Sequence, residues 1–301
     1  MDINITHWSV VSALPLLSVM TLLPLITVLS VWRSPSADWG LRCAYAGAVL
    51  NLLLGVYLLL IFDSNNAGIH LAEHLHFLGM SYAVGVDSTN ILFIPLTTLL
   101  TLLALIYTSI TRHADDKLFI GCLLVYQAIL IGAFAALNVL QFWFWTALEL
   151  VPLILLTVHS GTGQHRRWVV SRVLQYWLGG LLMTFAGFML LAFGLIDAQH
   201  PLSFDWLTLK QNNAYLHDEV LIFLLLFFGF AVRMPLFPFH GWLPLLAEHG
   251  TVASAAIYLV GLKLGVYALI RFILPMVPGV AEQWEGFVLT LGLANRVPGS
   301  V

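Results

Sequence analysis

The chain has 301 residues, of which 60% are hydrophobic and only 9% are charged. Soluble domains carry roughly 25% charged residues, so this composition is that of a protein embedded in a lipid bilayer. The formal net charge is −3 and no basic stripe runs along the chain, which argues against nucleic acid as a partner. The two cysteines, Cys43 and Cys122, fall in or beside apolar segments and indicate no redox compartment.

Apolar segments of about 20 residues recur along the whole chain, and each is long enough to cross a hydrocarbon core about 30 Å thick. They predict an all-α membrane protein, a polytopic helical bundle of about 8–9 transmembrane helices. The predicted spans are 12–32, 41–62, 88–111, 118–137, 139–158, 173–196, 219–245 and 251–273, with a ninth beginning near Gln283. Because the N-terminal segment lacks a positively charged leader and a clear small-residue cleavage site, the first span is expected to be retained rather than removed as a signal peptide.

The distribution of basic residues predicts the orientation of these spans. The odd-numbered connections hold Arg33, Arg42, Arg112, Lys117, Arg166, Arg167 and Arg172. The even-numbered connections hold Lys210, with Arg271 at a helix end, and otherwise the acids Asp63, Glu73, Asp87, Asp197, Asp205 and Asp218. Cytoplasmic loops accumulate lysine and arginine, so the N-terminus is predicted to lie outside, in a multi-pass protein of the cell inner membrane.

Three ionisable residues, Glu149, Arg233 and Lys263, are predicted to lie near the middle of the bilayer. A rise of about 1.5 Å per residue puts Arg233 roughly 21 Å into the seventh span and Lys263 roughly 18 Å into the eighth. Charges at this depth usually face the bundle interior and mark an ion path. The alternative is a structural ion pair between Glu149 and one of the bases, which leaves the third charge unexplained.

The seventh span contains a proline cluster that predicts a broken helix. The segment FFGFAVRMPLFPFHGWLP places Pro235, Pro238 and Pro244 after Arg233. Proline removes a backbone donor and clashes with the preceding turn, and broken helices of this kind mark ion sites in transporters. His240 could carry protons between hydrated segments, because histidine titrates near neutral pH. The alternative is a packing kink with a hydrogen-bonded histidine.

One short motif resembles a zinc site. His70, Glu73 and His74 spell H-x-x-E-H, the signature of one metallopeptidase group. That chemistry requires a stable helix presenting both imidazoles and a further acidic ligand, whereas this triplet is predicted to lie in an acidic outer loop. We therefore expect no zinc hydrolysis. No glycine-rich phosphate loop or cysteine cluster occurs, and the chain is expected to perform no redox chemistry itself.

Several of these segments, taken in order, resemble a known family. AVRMPLFPFHGWLP followed by GLKLGVYALIRF is similar to the seventh and eighth helices of antiporter-like subunits of respiratory complex I. The similarity is to the subunit M, or chain 4, family of NADH:quinone oxidoreductase, within the proton-conducting membrane transporter superfamily. FWFWTALELVPLILL resembles that family's fifth helix, and GVDSTNILFIPLTTLLT resembles the start of its third. The resemblance covers most of residues 80–275.

The resemblance implies a role for each matching position. Glu149 would pair with the basic residue on the broken helix, here Arg233, while His240 and Lys263 would pass protons toward the centre of the subunit. The family normally has lysine at the position of Arg233; since arginine keeps its proton in proteins, it would serve as a fixed charge. The resemblance also implies that the chain binds no cofactor itself and has other membrane and peripheral subunits as partners.

Family members have about fourteen helices, arranged as two inverted five-helix repeats. The chain is therefore expected to hold three N-terminal helices in 1–115, one five-helix repeat in 116–275, and an incomplete ninth helix with a polar tail in 276–301. Two alternatives stay open. The chain could be the homologous subunit of an inorganic-carbon uptake, cation/proton antiporter or membrane hydrogenase complex, or it could be a non-conducting scaffold.

Overall fold

The computed structural model describes residues 5–65, 68–77, 80–110, 116–161, 165–195, 202–212, 218–250 and 252–294. Within these ranges, seven helices are long and apolar enough to cross a membrane, which confirms the predicted polytopic helical fold. The seventh predicted span is not one of them because it is interrupted. Arg112 and Asp197, on which the orientation prediction draws, and the tail from residue 295 lie outside the described residues.

The chain divides into two compact units, Met1–Arg166 with His249–Gly261, and Arg167–Glu248 with Leu262–Val301. The helices of the first unit are α1 (Trp8–Val11), α2 (Leu16–Arg33), α3 (Ala37–Ile61), α4 (Phe93–Ile110), α5 (Lys117–Ala135), α6 (Val139–Leu148) and α7 (Leu150–Ser160). Those of the second are α8 (Arg166–Phe193), α9 (Trp206–Gln211), α10 (Glu219–Arg233), α11 (Trp242–His249), α13 (Leu274–Met276), α14 (Pro278–Gln283) and α15 (Glu285–Ala294). Helix α12 (Val252–Ala268) begins in the first unit and ends in the second.

Helix α5 is the central helix of the first unit, where it packs against α2, α4, α6 and α7. At its N-terminus, Asp116 accepts a hydrogen bond from the backbone N–H of Phe119 at 3.0 Å and lies 2.6 Å from Nε2 of His159 at the end of α7. Lys117 donates to the carbonyl of Ser34, just after α2, at 2.7 Å. The first, third and fifth connections therefore meet at one end of this unit, as alternating spans require. That the opposite end lies outside the cell stays a prediction.

A small sheet, absent from the sequence prediction, lies at that opposite end. Strand β1 (Ile5–His7) pairs in parallel with β2 (Ile69–Phe77), and β2 pairs antiparallel with β3 (Met80–Val86). The H-x-x-E-H triplet lies in β2 rather than on a helix. The first five residues of this strand, 69–73, are buried, whereas His74 and Leu75 are exposed.

The Glu73 carboxylate connects the sheet to the first transmembrane helix. It is only 2% exposed and accepts hydrogen bonds from the backbone N–H groups of Leu17 and Ser18, at 2.8 and 3.1 Å. These groups belong to the first turn of α2, where backbone donors have no partner within the helix. The hydroxyl of Ser18 also donates to Glu73. Glu73 therefore acts as a helix cap supplied by a distant strand.

The stability of this junction is expected to depend on pH. Burial raises the pKa of the Glu73 carboxyl above its ordinary value, although the hydrogen bonds from Ser18 and Leu17 oppose the shift. The folded protein then holds the proton more tightly than the unfolded chain, so this contribution to stability is complete below the unfolded value near 4.5 and is lost as the pH rises through the folded pKa. We expect the free energy of unfolding to decrease over that interval, and the Glu73→Gln variant to lack this component.

Unfolding in detergent micelles across the acidic pH range would measure the effect. At the acid end of the range, we expect the Glu73→Gln variant to be less stable than the wild-type protein by about 1–3 kcal/mol. The NH₂ group of the glutamine would face a backbone N–H group that needs an acceptor. The control is Glu282→Gln, which changes an exposed glutamate of α14 and should keep the wild-type pH dependence. A Glu73→Gln variant with an unchanged pH dependence would assign the effect to another group.

Candidate functional site

Glu149 lies at the middle of the fifth span, between α6 and α7. The two helices form one segment, Val139–Ser160, and Glu149 is about 15 Å along it from Val139 at 1.5 Å per residue. Pro152 has no N–H group to donate to the carbonyl of Leu148, which accounts for the interruption. Hydrogen bonding continues on either side of the gap, from Glu149 N–H to the carbonyl of Trp145 at 3.2 Å and from Leu153 N–H to that of Glu149 at 3.3 Å.

The Glu149 side chain is completely buried, with 0% exposure, and its carboxylate has a specific partner. The phenol of Tyr126, on α5, donates a hydrogen bond to Oε1 of Glu149. Tyr126 is itself buried, and its ring centroid lies 5.7 Å from that of Tyr258 on α12. Burying a polar group without a hydrogen bond is strongly unfavourable, so this contact stabilises the buried carboxylate in its position. The sequence interpretation did not include Tyr126.

Arg233 is the last residue of α10, and it lies against an aromatic surface inside the second unit. Its side chain is 5% exposed, and its guanidinium carbon lies 4.6 Å from the ring centroid of Trp177 on α8. The ring of Trp242 meets that of Trp177 edge-on, with centroids 5.2 Å apart. A cation over an indole face is attracted by the ring quadrupole, which restricts where the charge can lie.

The helix interruption after Arg233 confirms the predicted proline-broken seventh helix. Pro235 cannot donate to the carbonyl of Ala231, which instead accepts a hydrogen bond from Leu236 N–H at 3.0 Å. The carbonyl of Val232 accepts from the indole N–H of Trp242 at 2.8 Å. Pro238 lies in the non-helical stretch that leads to a 3₁₀ turn, Phe239–Gly241, and then to α11. The backbone N–H of Leu236 therefore replaces the donor that Pro235 lacks, and the Trp242 indole takes the place of Leu236 at the carbonyl of Val232.

His240 and Lys263 are both exposed in this chain. His240 lies in the 3₁₀ turn, with its ring centroid 5.9 Å from that of Phe237. Lys263 lies on α12, two residues before Gly265. Gly265 faces the broken helix at close range, because a Cβ added to it would lie 3.2 Å from the carbonyl carbon of Arg233. Two residues correspond to about 200° around a helix, so Lys263 is on the face of α12 directed away from the interruption.

The structure thus places the predicted residues in two groups. Glu149 belongs to the first unit, whereas Arg233, His240 and Lys263 belong to the second, in which Arg233 ends α10 and His240 follows in the interruption. The pairing of Glu149 with Arg233 and the order of proton transfer stay predictions.

A further buried charge, Arg271, was interpreted from the sequence only as a residue at a helix end. It is 3% exposed and lies in a π-helical segment, Leu269–Ile273, within the span Tyr258–Met276. Its guanidinium carbon is 4.0 Å from the ring centroid of Trp206 on α9, and the indole N–H of Trp206 donates to the Arg271 carbonyl at 2.9 Å. This paired contact anchors α9 to the end of the eighth span.

These features define a polytopic membrane protein with an interrupted helix and charged groups at membrane depth, an architecture known from secondary transporters. Residues 136–301, more than half of the chain, match the transmembrane family described as NADH:quinone oxidoreductase/Mrp antiporter. The chain belongs to this family.

Individual relatives agree with this assignment. The chain is 30% identical over 300 residues to NADH-quinone oxidoreductase subunit M of Rickettsia conorii, a match that covers 96% of this chain and 60% of that protein. It is 33% identical over 298 residues to subunit M of Rhodobacter capsulatus, covering 92% of this chain and 56% of that one. Among solved structures, a chain of respiratory complex I from Thermus thermophilus with bound NADH is similar at a TM-score of 0.77 and 25% identity, over 91% of this chain and 56% of that one. The chain thus spans about 60% of the length of the first of these relatives.

Proposed function

We propose that this chain is a proton-translocating, antiporter-like subunit of an NADH:quinone oxidoreductase-type complex in the cell inner membrane. The observation that carries the proposal is Glu149, a completely buried carboxylate at mid-span in a chain of this family. The complex would supply the other membrane and peripheral subunits, and the redox cofactors would belong to those subunits. The chain itself would contribute a proton path.

In this proposal, protons enter from the cytoplasmic side and reach Glu149, then pass by water and His240 toward Lys263. Arg233 acts as a fixed positive charge that holds or releases Glu149, because arginine does not give up its proton in proteins. The stacking of its guanidinium on Trp177 supports a fixed position. The exposure of His240 in the 3₁₀ turn that follows the helix interruption supports access of water to that residue.

The location of Lys263 indicates that its face of α12 contacts further protein or water. Its face of α12 also carries the exposed apolar residues Leu259, Val266 and Ile270. A lysine facing lipid near the middle of a span is unfavourable by at least about 2.5–3.5 kcal/mol, so such residues usually contact protein or water instead. The face around Lys263 is therefore expected to meet further protein or a hydrated passage in the assembled membrane complex.

A second candidate is the same fold coupled to another reaction, in a cation/proton antiporter, an inorganic-carbon uptake complex or a membrane hydrogenase. Two points favour keeping it: the family description includes Mrp antiporters, and Arg233, whose guanidinium stacks on Trp177, stands where the resemblance to complex I subunits implies a lysine. Gentle purification from the native membrane, with identification of the co-purifying proteins, separates the two candidates. Flavin and iron–sulfur subunits support the first, and a zinc protein or a set of antiporter subunits supports the second.

The Lys263→Met substitution tests whether the path includes this residue. In liposomes containing the assembled complex, we expect proton uptake driven by substrate oxidation to fall about tenfold or more, equivalent to a barrier raised by at least roughly 1.4 kcal/mol. Methionine keeps the length and apolar stem of lysine but removes the charge that the proton transfer would use. Proton uptake is measured with a pH-sensitive dye, and substrate oxidation is measured in the same sample.

The matched control is Lys210→Met, which removes a lysine that stacks on Trp206 in α9, outside the spans. It should leave proton uptake at the wild-type rate. Full activity in Lys263→Met would instead support the non-conducting scaffold, because a scaffold does not require a charge at this position.

A further inference from the structure

The contact between Tyr126 and Glu149 has features of a constructed site rather than incidental packing. Both side chains are buried, and the phenol of Tyr126 donates directly to Oε1 of Glu149. Tyr126 lies on α5, the most completely buried of the candidate spans. The donor is thus presented by a helix whose position is fixed on nearly all sides, while the acceptor lies at the interruption between α6 and α7.

Gly261 closes the site from α12. A Cβ at position 261 would overlap both Oε1 of Glu149 and the phenol oxygen of Tyr126. The absence of a side chain at this position lets the backbone of α12 lie directly over the hydrogen bond, so the two groups have little room to separate. The ring of Tyr258, one turn earlier on α12, lies beside that of Tyr126. The three helices together fix the direction in which the carboxylate points.

We propose that Tyr126 is the positioning residue of the proton path. Its phenol holds Oε1 of Glu149 in one orientation. The same hydrogen bond stabilises the negative charge of Glu149 when the basic partner of Glu149 is withdrawn. This inference rests on the proposed role of Glu149 in proton translocation. A carboxylate in a low-dielectric interior requires hydrogen bonds if it is to stay ionised while an ion pair opens. A neutral donor such as tyrosine meets this requirement without adding a charge that competes with the transferred proton.

Tyr126→Phe tests the inference in the assembled complex reconstituted in liposomes. We expect proton uptake to fall roughly 10- to 100-fold, the factor corresponding to the loss of a hydrogen bond to a charged group. Tyr45→Phe is the matched control, because Tyr45 donates its phenol hydrogen to a backbone carbonyl, that of Leu105, at 3.1 Å. It should keep wild-type proton uptake, since no carboxylate loses its donor.

A spectroscopic readout separates positioning from simple packing. Infrared difference spectra of the complex should contain a Glu149 carboxylate band, identified by its loss in Glu149→Gln, and Tyr126→Phe should shift this band. Fluorinated tyrosines incorporated at position 126 keep the ring nearly the same size but donate more strongly, so they should shift the band progressively in the opposite direction. They also keep the inference testable if Tyr126→Phe fails to assemble.

The outcomes distinguish the inference from the function on which it rests. Loss of proton uptake in Glu149→Gln, with normal uptake and an unshifted band in Tyr126→Phe, would overturn the role of Tyr126 alone. Normal uptake in both variants would overturn the proposed path through Glu149. Reduced uptake in Tyr126→Phe with a shifted band, and a graded shift in the fluorinated series, is the result that the inference requires.

Discussion

Replacing Glu149 with glutamine is expected to abolish proton translocation in the assembled complex. Glutamine has the size of glutamate and can still accept the hydrogen bond from Tyr126, so packing between α5 and α7 should persist. It cannot gain or lose a proton, and it carries no charge to attract a basic group. We expect proton uptake to decrease by at least about 100-fold, equivalent to roughly 2.7 kcal/mol or more on the transfer barrier.

The measurement is proton uptake into liposomes, compared with substrate oxidation in the same preparation. The control is Glu282→Gln, which removes the same charge from an exposed position on α14 and should leave uptake unchanged. If Glu149→Gln translocates protons at the wild-type ratio to substrate oxidised, the buried carboxylate is structural and the path lies elsewhere. If the variant fails to assemble, Glu149→Asp shows whether a shorter carboxylate restores both assembly and uptake.

The large features of this fold follow from patterns that the sequence displays directly. Segments of hydrophobic residues of sufficient length predict helices, because a bilayer requires every backbone polar group to be bonded within the spanning segment. The interruption after Arg233 follows from Pro235, whose missing donor and ring clash do not depend on tertiary context. The mid-span position of Glu149 follows from counting residues, since the helical rise is nearly constant.

The small sheet could have been predicted from a signal that the loop interpretation overlooked. Residues 69–77 read IHLAEHLHF, in which larger apolar residues and Glu73 alternate with histidines and an alanine. Such alternation indicates a strand with one buried face. A carboxylate among the buried positions is unusual for that pattern. Here its burial depends on two backbone donors at the start of α2, more than fifty residues earlier in the chain, and no local pattern indicates such a partner.

Contacts between helices could not be predicted from one sequence. Tyr126 occurs in an almost uniformly apolar span, where a tyrosine reads as ordinary packing until the facing residue is known. Arg271 likewise read as a residue at a helix end, although its stacking on Trp206 buries it. In both cases, the partner comes from a distant segment. Helix rotation about its own axis decides these contacts, and a helix with apolar residues on all sides leaves that rotation undetermined by pattern.

Gly179 and Gly180, two neighbouring glycines of α8, also show that contacts between helices cannot be predicted from one sequence, and they suggest an experiment on stability. An added Cβ at Gly180 would lie 2.8 Å from the carbonyl oxygen of Gly229 on α10 and 3.1 Å from Cβ of Val232, whereas a Cβ at Gly179 would have no neighbour within 4 Å. Small residues let helix backbones approach closely in membranes, where packing rather than hydrophobicity drives association. The sequence WLGGLL gives no indication which glycine serves this contact.

Gly180→Ala is expected to destabilise the protein, and Gly179→Ala is not. The first substitution forces α8 away from α10 because the obstructing atom belongs to backbone, and overpacking of this kind reduces the free energy of unfolding by about 1–3 kcal/mol. The second replaces a glycine on an exposed face of the same helix and should increase stability by roughly 0.5–1 kcal/mol through helix propensity. The two variants differ only by one position, so chain composition and helix length cancel in the comparison.

Unfolding in mixed lipid–detergent micelles would measure both variants. A further consequence concerns the end of α10, because Val232, the other neighbour of the added methyl group, immediately precedes Arg233. Displacing this segment should weaken the stacking of Arg233 on Trp177, which the fluorescence of that indole can report after comparison with a Trp177→Phe variant. Equal stability of the two alanine variants would contradict the close approach of α8 and α10, and with it the geometry that holds the Arg233 charge at the end of the broken helix.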